Sequence, residues 1–171
     1  MKLTVEINNT DKSPVKKAFI KKVVARTLEK SGYLELAKKR LNLSLAWVSE
    51  VEIKKINKQY RKKDKATDVL SFCEFEDAGR LKKSSESDLF LGELILCYNY
   101  IKESAQDCTS ETELQKELAK IIAHGVLHLL GFSHGKKMFA IQDEVASAFV
   151  PPRRDYGMTK KNFNFFYKTK K

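Results

Sequence analysis

Apolar and polar residues alternate in two stretches of the chain, and two further stretches are almost wholly apolar. The alternation covers residues 3–7 and again 41–47, and it predicts two half-buried strands. The runs TDVLSFCEF (67–75) and LFLGELILC (89–97) are rich in apolar and β-branched residues and have the length of strands. The sequence therefore predicts four strands.

The segment 13–32 shows the periodicity of a helix with one apolar face. The residues that would share this face are Val15, Phe19, Val23 and Leu28. Ser13 is of a type that commonly caps helix N-termini, Pro14 suits the first helical position, and Gly32 suits the end. We therefore predict a helix that begins after Ser13 and ends before Gly32.

Three more helices are predicted, two of them from capping boxes. Ser49, with Glu52 three residues on, predicts a short helix that ends near Tyr60. Ser110, with Glu113, predicts the start of a longer helix. Apolar residues at helical spacing predict a last helix over 136–149. The polar segment EDAGRLKKSSESD, between the last two strands, is predicted to be a loop.

The order βα-βα-ββ-αα predicts the fold class. We expect one mixed α/β (α+β) domain, in which a four-stranded mixed sheet packs against helices. A chain of 171 residues suits a single domain. Prolines at 151 and 152 end the last helical pattern, so the predicted domain covers residues 1–150 and is followed by a tail, 151–171.

The charge of the chain favours an anionic partner. The formal net charge is +11, from 33 Lys and Arg against 22 Asp and Glu, and such an excess favours nucleic acid. Seven basic residues and one acidic residue lie in segment 54–65, and the tail has the same balance with aromatic residues interleaved. Interleaved aromatic and basic residues suit single-stranded nucleic acid, but for the second segment a frayed, solvated tail is the favoured interpretation.

The N-terminal residues lack the basic-then-apolar pattern of a signal peptide. No apolar run approaches the roughly 20 residues that cross a bilayer. We therefore expect a soluble, cytoplasmic protein without membrane contact.

All three histidines of the chain lie within the stretch AHGVLHLLGFSHG, residues 123–135. His124 and His128 are four residues apart, so on a helix they would point in directions only about 40° apart. On a continuous helix His134 would lie about 15 Å further along the axis than His124 and would face another direction. Gly131 allows the chain to stop and turn back, because glycine adopts a left-handed helix end without strain. The stretch thus predicts two ligands on a helix, a turn and a third ligand.

Three neutral imidazoles indicate a catalytic metal site with one coordination position left open. A single histidine on an apolar helix is more often a hydrogen-bonded core residue, but three in this arrangement favour one Zn²⁺ per chain. The spacing H-x3-H-x2-G-x2-H is that of metzincin proteases. Those enzymes need Glu directly after the first His, where this chain has Gly125, so peptide cleavage is disfavoured.

Two longer motifs resemble those of the YbeY family, bacterial ribosomal RNA maturation factors described as zinc-dependent endoribonucleases. HGVLHLLGFSH (124–134) is close to H-G-x-L-H-L-x-G-[YF]-D-H, and NKQYRKKDKATDVLSF (57–72) fits N-x-x-Y-R-x-K-D-x-x-T-D-V-L-S-F. LGELIL (91–96) resembles the glycine-acid-apolar strand of the family. With the order of elements, the resemblance covers residues 3–149.

The resemblance implies a zincin-like metal site on a helix followed by a glycine turn, and RNA as substrate. The RNA would be ribosomal, in the precursor of the small ribosomal subunit. Carried over by position, the implied site consists of the zinc ligands His124, His128 and His134 and the catalytic or phosphate-binding Arg61. In the basic segment around Arg61, we expect Lys62, Lys63 and Lys65 to bind RNA. A solvated arginine at a helix C-terminus is the plainer role for Arg61.

The chain departs from the family pattern at three places. Ser133 replaces the usual Asp before the third histidine, Cys73 replaces a Pro, and the short basic GKKMF replaces an acidic stretch. The implied reaction is metal-assisted hydrolysis of a phosphodiester in single-stranded RNA, with Arg61 neutralising the developing charge. No general base is identified. A ribosome-assembly or RNA-binding factor with a structural metal is the main alternative, and a metalloprotease is the other.

Overall fold

The computed structural model describes residues 2–75, 77–105 and 110–150. In chain order its elements are β1 (Lys2–Asn9), α1 (Lys17–Lys30), β2 (Arg40–Trp47), α2 (Glu50–Arg61), β3 (Val69–Cys73), α3 (Ala78–Lys83), β4 (Asp88–Leu96), α4 (Tyr98–Ser104), α5 (Glu111–Leu129) and α6 (Lys136–Ser147). A 3-10 helix, Leu34–Lys38, precedes β2. Within the described ranges, no helix has both the length and the apolar character needed to cross a membrane. The tail 151–171 lies outside these ranges.

The four strands form one mixed sheet in the order β1-β2-β4-β3. β1 pairs with β2 and β2 with β4 in parallel, whereas β3 pairs antiparallel with β4. Parallel neighbours need a crossover connection, which α1 supplies between β1 and β2. The predicted four-stranded mixed sheet is confirmed, with β3 at one edge.

Most of the helices pack against one face of this sheet, and α2 covers part of the other face. The apolar sides of α1, α5 and α6 join those of β2 and β4 in the main core. A smaller apolar cluster contains Ile53 of α2 together with Val48, Leu70 and Cys97. This second cluster holds α2, and the basic segment that follows it, beside β3.

Gly125 lets α5 approach the sheet closely. A Cβ atom at this position would lie 2.9 Å from Cδ2 of Leu94 and 3.3 Å from Cγ2 of Val69, which is closer than side chains in a packed interior allow without shifting. Gly125 is buried and faces β3 and β4. Any side chain here would require the Leu94 and Val69 methyl groups to shift, so the packing favours glycine over the acid that metzincin proteases require.

The first helix begins later than the sequence predicts. Its N-cap is Lys16, which makes no side-chain capping bond. Ser13 is held in the preceding turn, where its N–H donates to Oδ1 of Asn9 at 2.8 Å and its carbonyl accepts from Nδ2 of Asn9 at 2.9 Å. Local side-chain bonds of this kind compete with helix formation. The prediction that Ser13 caps the helix is therefore wrong.

Two short helices are also missing from the prediction. α3 lies inside the predicted polar loop, where the Asp77 carboxylate accepts from the Arg80 N–H at 2.9 Å. α4 begins directly after β4 and Cys97. The predicted N-caps Ser49 and Ser110 are confirmed, since each hydroxyl accepts from the backbone N–H three residues on.

Candidate metal centre and basic cleft

α5 carries two histidines one turn apart near its C-terminal end. His124 and His128 lie on the same side of the helix because they are four residues apart. Their Nε2 atoms are 3.1 Å apart, and both residues are partly buried. The helix therefore directs two imidazole nitrogens at one point.

A tight turn after α5 brings the chain back towards these two rings. Gly131 has a φ of 78°. Its N–H donates to the His128 carbonyl at 2.8 Å, and the Phe132 N–H donates to the Leu127 carbonyl at 3.0 Å, the two bonds of a Schellman helix end. A Cβ at Gly131 would lie 2.6 Å from the backbone nitrogen of Ala78, so both conformation and space require glycine.

The turn places His134 against the other two histidines, as the spacing predicts. Nε2 of His134 is 3.1 Å from that of His128 and 3.3 Å from that of His124. Nitrogen ligands bound tetrahedrally to zinc at 2.0–2.1 Å would be separated by about 3.3–3.4 Å. The three side chains therefore fit one zinc ion in spacing and chemistry, and they could hold a metal ion.

Hydrogen bonds at the outer ring nitrogens orient the two helical histidines. Nδ1 of His124 is 2.9 Å from Oε1 of Gln142, and Nδ1 of His128 is 3.1 Å from the carbonyl oxygen of Phe132. Each oxygen accepts, so each ring carries its proton on Nδ1 and directs the lone pair of Nε2 inward. Lone pairs directed at one point repel each other, and a cation between them removes that repulsion.

Gln142 is a site residue that the sequence analysis missed. It lies on α6 and is only 6% exposed, although it is polar. Its neighbours on the same helix, Met138, Ile141 and Val145, are buried apolar residues. A glutamine on an apolar helix face signals that some buried partner exists, but it does not identify His124, which is 18 residues earlier.

The environment of His128 favours its neutral form. Burial lowers the pKa of His128 most, and the rings of His124 and His134 and the Arg61 guanidinium lower it further. The bond to the Phe132 carbonyl acts in the opposite direction. A lowered pKa keeps the imidazole unprotonated near neutral pH, which is the state that binds metals.

The three histidines line a cleft of about 320 Å³ together with basic residues. Arg61, Lys63 and Lys65, from the end of α2 and the turn towards β3, lie in the same lining. Among the described residues of this lining, none is a carboxylate. A cleft that combines imidazoles with cations suits an anionic substrate.

Arg61 links the basic part of the cleft to the strand beside α5. Its Nη2 donates to the Ser71 carbonyl of β3 at 3.4 Å, and the Ser71 hydroxyl donates to the Gly125 carbonyl of α5 at 3.4 Å. Arg61 remains exposed. Its guanidinium therefore lies beside the histidines with N–H groups accessible to a bound phosphate.

The three lysines predicted to bind RNA do not all lie in the cleft. Lys63 and Lys65 belong to its lining, whereas Lys62 does not. Lys62 ends α2 with a φ of 59°, and its ammonium donates to the Gln59 carbonyl at 3.0 Å. The structure thus gives Lys62 a place at the helix end, outside the cleft lining.

Asn57 and Asp64 support the basic turn. Asn57 is 3% exposed, and its Nδ2 donates to the Lys65 carbonyl at 2.8 Å. The Asp64 carboxylate pairs with Lys58 at 2.8 Å and with Lys54 at 3.6 Å. The hydrogen bond from Lys58 lowers the pKa of Asp64 most. Asn57 fixes the turn from its buried side, and Asp64 does so from its exposed side.

Two of the departures from the family pattern lie close to the histidines. The Cys73 thiol donates to the His128 carbonyl at 3.2 Å, so a residue on β3 satisfies an end carbonyl of α5. Ser133 is exposed and lies outside the cleft lining. Cys73 therefore has a structural contact that the usual proline, with no donor in its side chain, could not make.

Fold and site together define an α/β protein with a three-histidine centre in a basic cleft. A family model described as Endoribonuclease YbeY matches residues 6–149. The chain belongs to this family, and its predicted membership is confirmed.

Several known proteins are similar to this chain. Endoribonuclease YbeY from Staphylococcus saprophyticus is 39% identical over 112 residues, which are 63% of this chain and 71% of that protein. The protein of the same name from Halalkalibacterium halodurans is 36% identical over 130 residues, 71% of this chain and 80% of its own. The solution structure of TM1509 from Thermotoga maritima is 27% identical, has a TM-score of 0.51, and aligns over 85% of this chain and 89% of that one. The relatives' names agree with the predicted enzyme class, an endoribonuclease, which cleaves phosphodiester bonds within RNA.

Proposed function

We propose that the chain is a metal-dependent endoribonuclease that processes ribosomal RNA, with one Zn²⁺ bound by His124, His128 and His134. The observation that carries the metal role is the convergence of the three Nε2 atoms, all within 3.3 Å of each other. Family membership supports RNA as substrate. Ribosomal RNA, in the precursor of the small subunit, follows from the resemblance, and that substrate would place the protein in the cytoplasm.

Each part of the cleft has a defined task in this proposal. A bound zinc ion would supply Lewis-acid polarisation of the phosphate and activation of water. The histidines would hold it as neutral ligands oriented by Gln142 and the Phe132 carbonyl. Arg61 can contact two phosphate oxygens at once and stabilise the charge that develops during cleavage.

Lys63 and Lys65 would attract the RNA backbone, since cations that neutralise phosphates supply much of the affinity for nucleic acid. We assign the endoribonuclease domain to residues 1–150 and treat 151–171 as a basic, aromatic-containing tail, which lies outside the described residues. The end of the family match at residue 149 supports this boundary.

The decisive experiment compares wild type with His128→Ala in metal content and RNA cleavage. We expect about one zinc per wild-type chain. The variant should lose both zinc and cleavage, because its two remaining ligands cannot complete the site. Its binding of single-stranded RNA should stay close to wild type, since Arg61, Lys63 and Lys65 are unchanged. Zinc is measured by elemental analysis, cleavage with labelled RNA, and folding by circular dichroism.

The chain has no histidine outside the site that could serve as a control. The control is therefore Lys116→Ala, which changes an exposed residue of the same helix. Wild-type cleavage by a folded His128→Ala protein would contradict the proposed function. One zinc per wild-type chain without RNA cleavage, together with a lower melting temperature after metal removal, would favour an assembly factor with a structural metal.

A further inference from the structure

Aromatic rings and lysines are layered outside the cleft lining, next to the turn that carries His134. The rings of Tyr33 and Phe132 stack with centroids 5.3 Å apart and planes at 21°. Nζ of Lys82 lies 3.9 Å from the centre of the Tyr33 ring, and Nζ of Lys137 lies 5.4 Å from that of Phe132. These four residues form a layered patch of two rings and two cations.

The layered patch is joined to the histidine centre through the backbone of Phe132. Phe132 accepts the hydrogen bond of His128 through its carbonyl, so its position is tied to that of a candidate ligand. Phe139 of α6 lies nearly parallel to the His134 ring, at 6.0 Å and 19°. Its side chain is 42% exposed. A flat apolar face is therefore available immediately beside the centre.

The ammonium groups of the two lysines lie over aromatic rings and are not paired with acidic side chains of described residues. Lys82 and Lys137 are exposed, and no carboxylate of a described residue lies within 4.0 Å of either ammonium. A cation on a ring face keeps its charge and its N–H groups available for other partners. Two localised positive charges thus lie close to the site without neutralisation by the described acids.

Core packing explains only part of this arrangement. Tyr33 and Phe132 are partly buried and contact the main core, so their rings have a structural role. That role accounts neither for the lysines on the ring faces nor for the exposure of Phe139 beside His134. Flat rings combined with unneutralised cations are the elements by which proteins bind single-stranded nucleic acid.

We propose that the layered patch and Phe139 bind the nucleotides next to the cleaved bond in a single-stranded RNA. Lys82 and Lys137 contact backbone phosphates, and one unpaired base stacks on Phe139. A base-paired nucleotide cannot offer its face in this way, so the subsite selects single strands. The inference rests on the proposed function and extends it to a substrate-binding surface beyond the basic cleft.

The test measures binding without cleavage. The probe is a fluorescein-labelled, short 2′-O-methyl oligoribonucleotide, used alone and annealed to its complement, in fluorescence anisotropy at a series of KCl concentrations. We expect the double variant Lys82→Gln and Lys137→Gln to bind the single strand about tenfold more weakly. A plot of the log of the association constant against the log of the salt concentration has a negative slope, which should become shallower by about 1.4, or about 0.7 for each lost phosphate contact.

Phe139→Ala should weaken single-strand binding about fivefold or more and leave the salt slope unchanged, because a stacking contact carries no charge. Phe139→Tyr, which keeps the flat face, should restore the affinity. Zinc content is measured in each variant because Phe139 also contacts His134. Wild type should bind the single strand more tightly than the duplex.

The matched control is Lys16→Gln with Lys17→Gln, which removes the same charge. Both lysines are exposed, and Lys16 lies near Gln115 at the start of α5, far along the helix from the histidines. Equal losses in the two double variants, or equal wild-type affinity for single strand and duplex, would overturn the inference. Selective loss in the Lys82 and Lys137 variant, with no wild-type cleavage of unmodified RNA, would support the subsite and overturn the proposed function.

Discussion

The histidine side and the arginine side of the cleft are held in different ways. Buried contacts fix the histidines, among them the Gln142 bond at 2.9 Å and the Schellman turn at Gly131. On the basic side the buried Asn57 holds the turn, but the cations themselves have exposed partners, with Arg61 joined to Ser71 at 3.4 Å and Asp64 paired to surface lysines. Leaving a buried polar group without its partner costs about 1–3 kcal/mol, whereas exposed ion pairs contribute little because water and salt screen them. The ligand side is therefore preorganised, and the exposed side chains of the basic side can adjust to RNA.

The largest effect that separates the two sides should come from Arg61. We expect Arg61→Ala to reduce single-turnover RNA cleavage by about 10²–10³-fold, because the charge that develops on the phosphate loses its stabilising donor. Zinc content should not change. Arg61→Lys should recover only part of the rate, since one ammonium cannot reproduce the two-pronged contact of a guanidinium.

Lys62→Ala is the control for this series, because Lys62 is adjacent in sequence but outside the cleft lining. Its cleavage rate should stay within roughly threefold of wild type, as expected for an exposed charge. Loss of zinc in Arg61→Ala would show that the two sides do not act separately. Equal cleavage rates in the Arg61→Ala and Lys62→Ala proteins would contradict the role of Arg61.

A smaller effect is expected on the histidine side from Gln142→Leu. The change removes the acceptor that holds the proton of His124 on Nδ1, and losing such a partner typically lowers metal affinity about 10–100-fold. Gln142→Glu keeps an acceptor and should retain the affinity. Zinc affinity is measured by competition with a chromogenic chelator, and ¹⁵N NMR of the three imidazoles reports the tautomers in the metal-free protein.

Gln115→Leu, near the start of α5, is the matched control for this substitution. It should leave zinc affinity and the imidazole spectrum unchanged. The positioning role of Gln142 is refuted by a Gln142→Leu protein that keeps both wild-type zinc affinity and the wild-type His124 tautomer.

The smallest effect should come from Asp64→Ala on the basic side. The pKa of Asp64 is lowered in the fold, chiefly by Lys58, so its stabilising contribution is present above the pKa of the unfolded state and is lost as pH falls through the folded pKa. Because the pair is exposed, urea denaturation near neutral pH should barely distinguish Asp64→Ala from wild type. A large loss of stability would mean that the basic side is as rigid as the histidine side.

The candidate ligands could be predicted from the sequence because their arrangement is local. Four-residue spacing and a glycine at the right offset determine how His124, His128 and His134 meet. Gln142 could not be predicted, since its contact depends on how α6 packs against α5. The position of Arg61 beside the histidines likewise depends on β3 lying between α2 and α5, and only the resemblance pointed to it.

The errors in the fold also have physical causes. Ser13 and Pro14 form a good local signal for a helix start, but Asn9 takes both backbone groups of Ser13. α3 is a single short helix with a glycine in its first turn, so its composition is that of a loop. The long elements of the core were predicted because their apolar residues recur with the period of a helix or of a strand.

The histidine segment has a consequence for how the protein folds. All three candidate ligands come from residues 124–134, so only a short loop must close to bring them together, and its entropic cost is small. The sheet instead joins strands that are far apart in sequence and therefore forms more slowly. We expect the helix and its turn to become competent for zinc before the sheet is complete. The available zinc concentration would then influence how the chain folds as well as how the finished enzyme works.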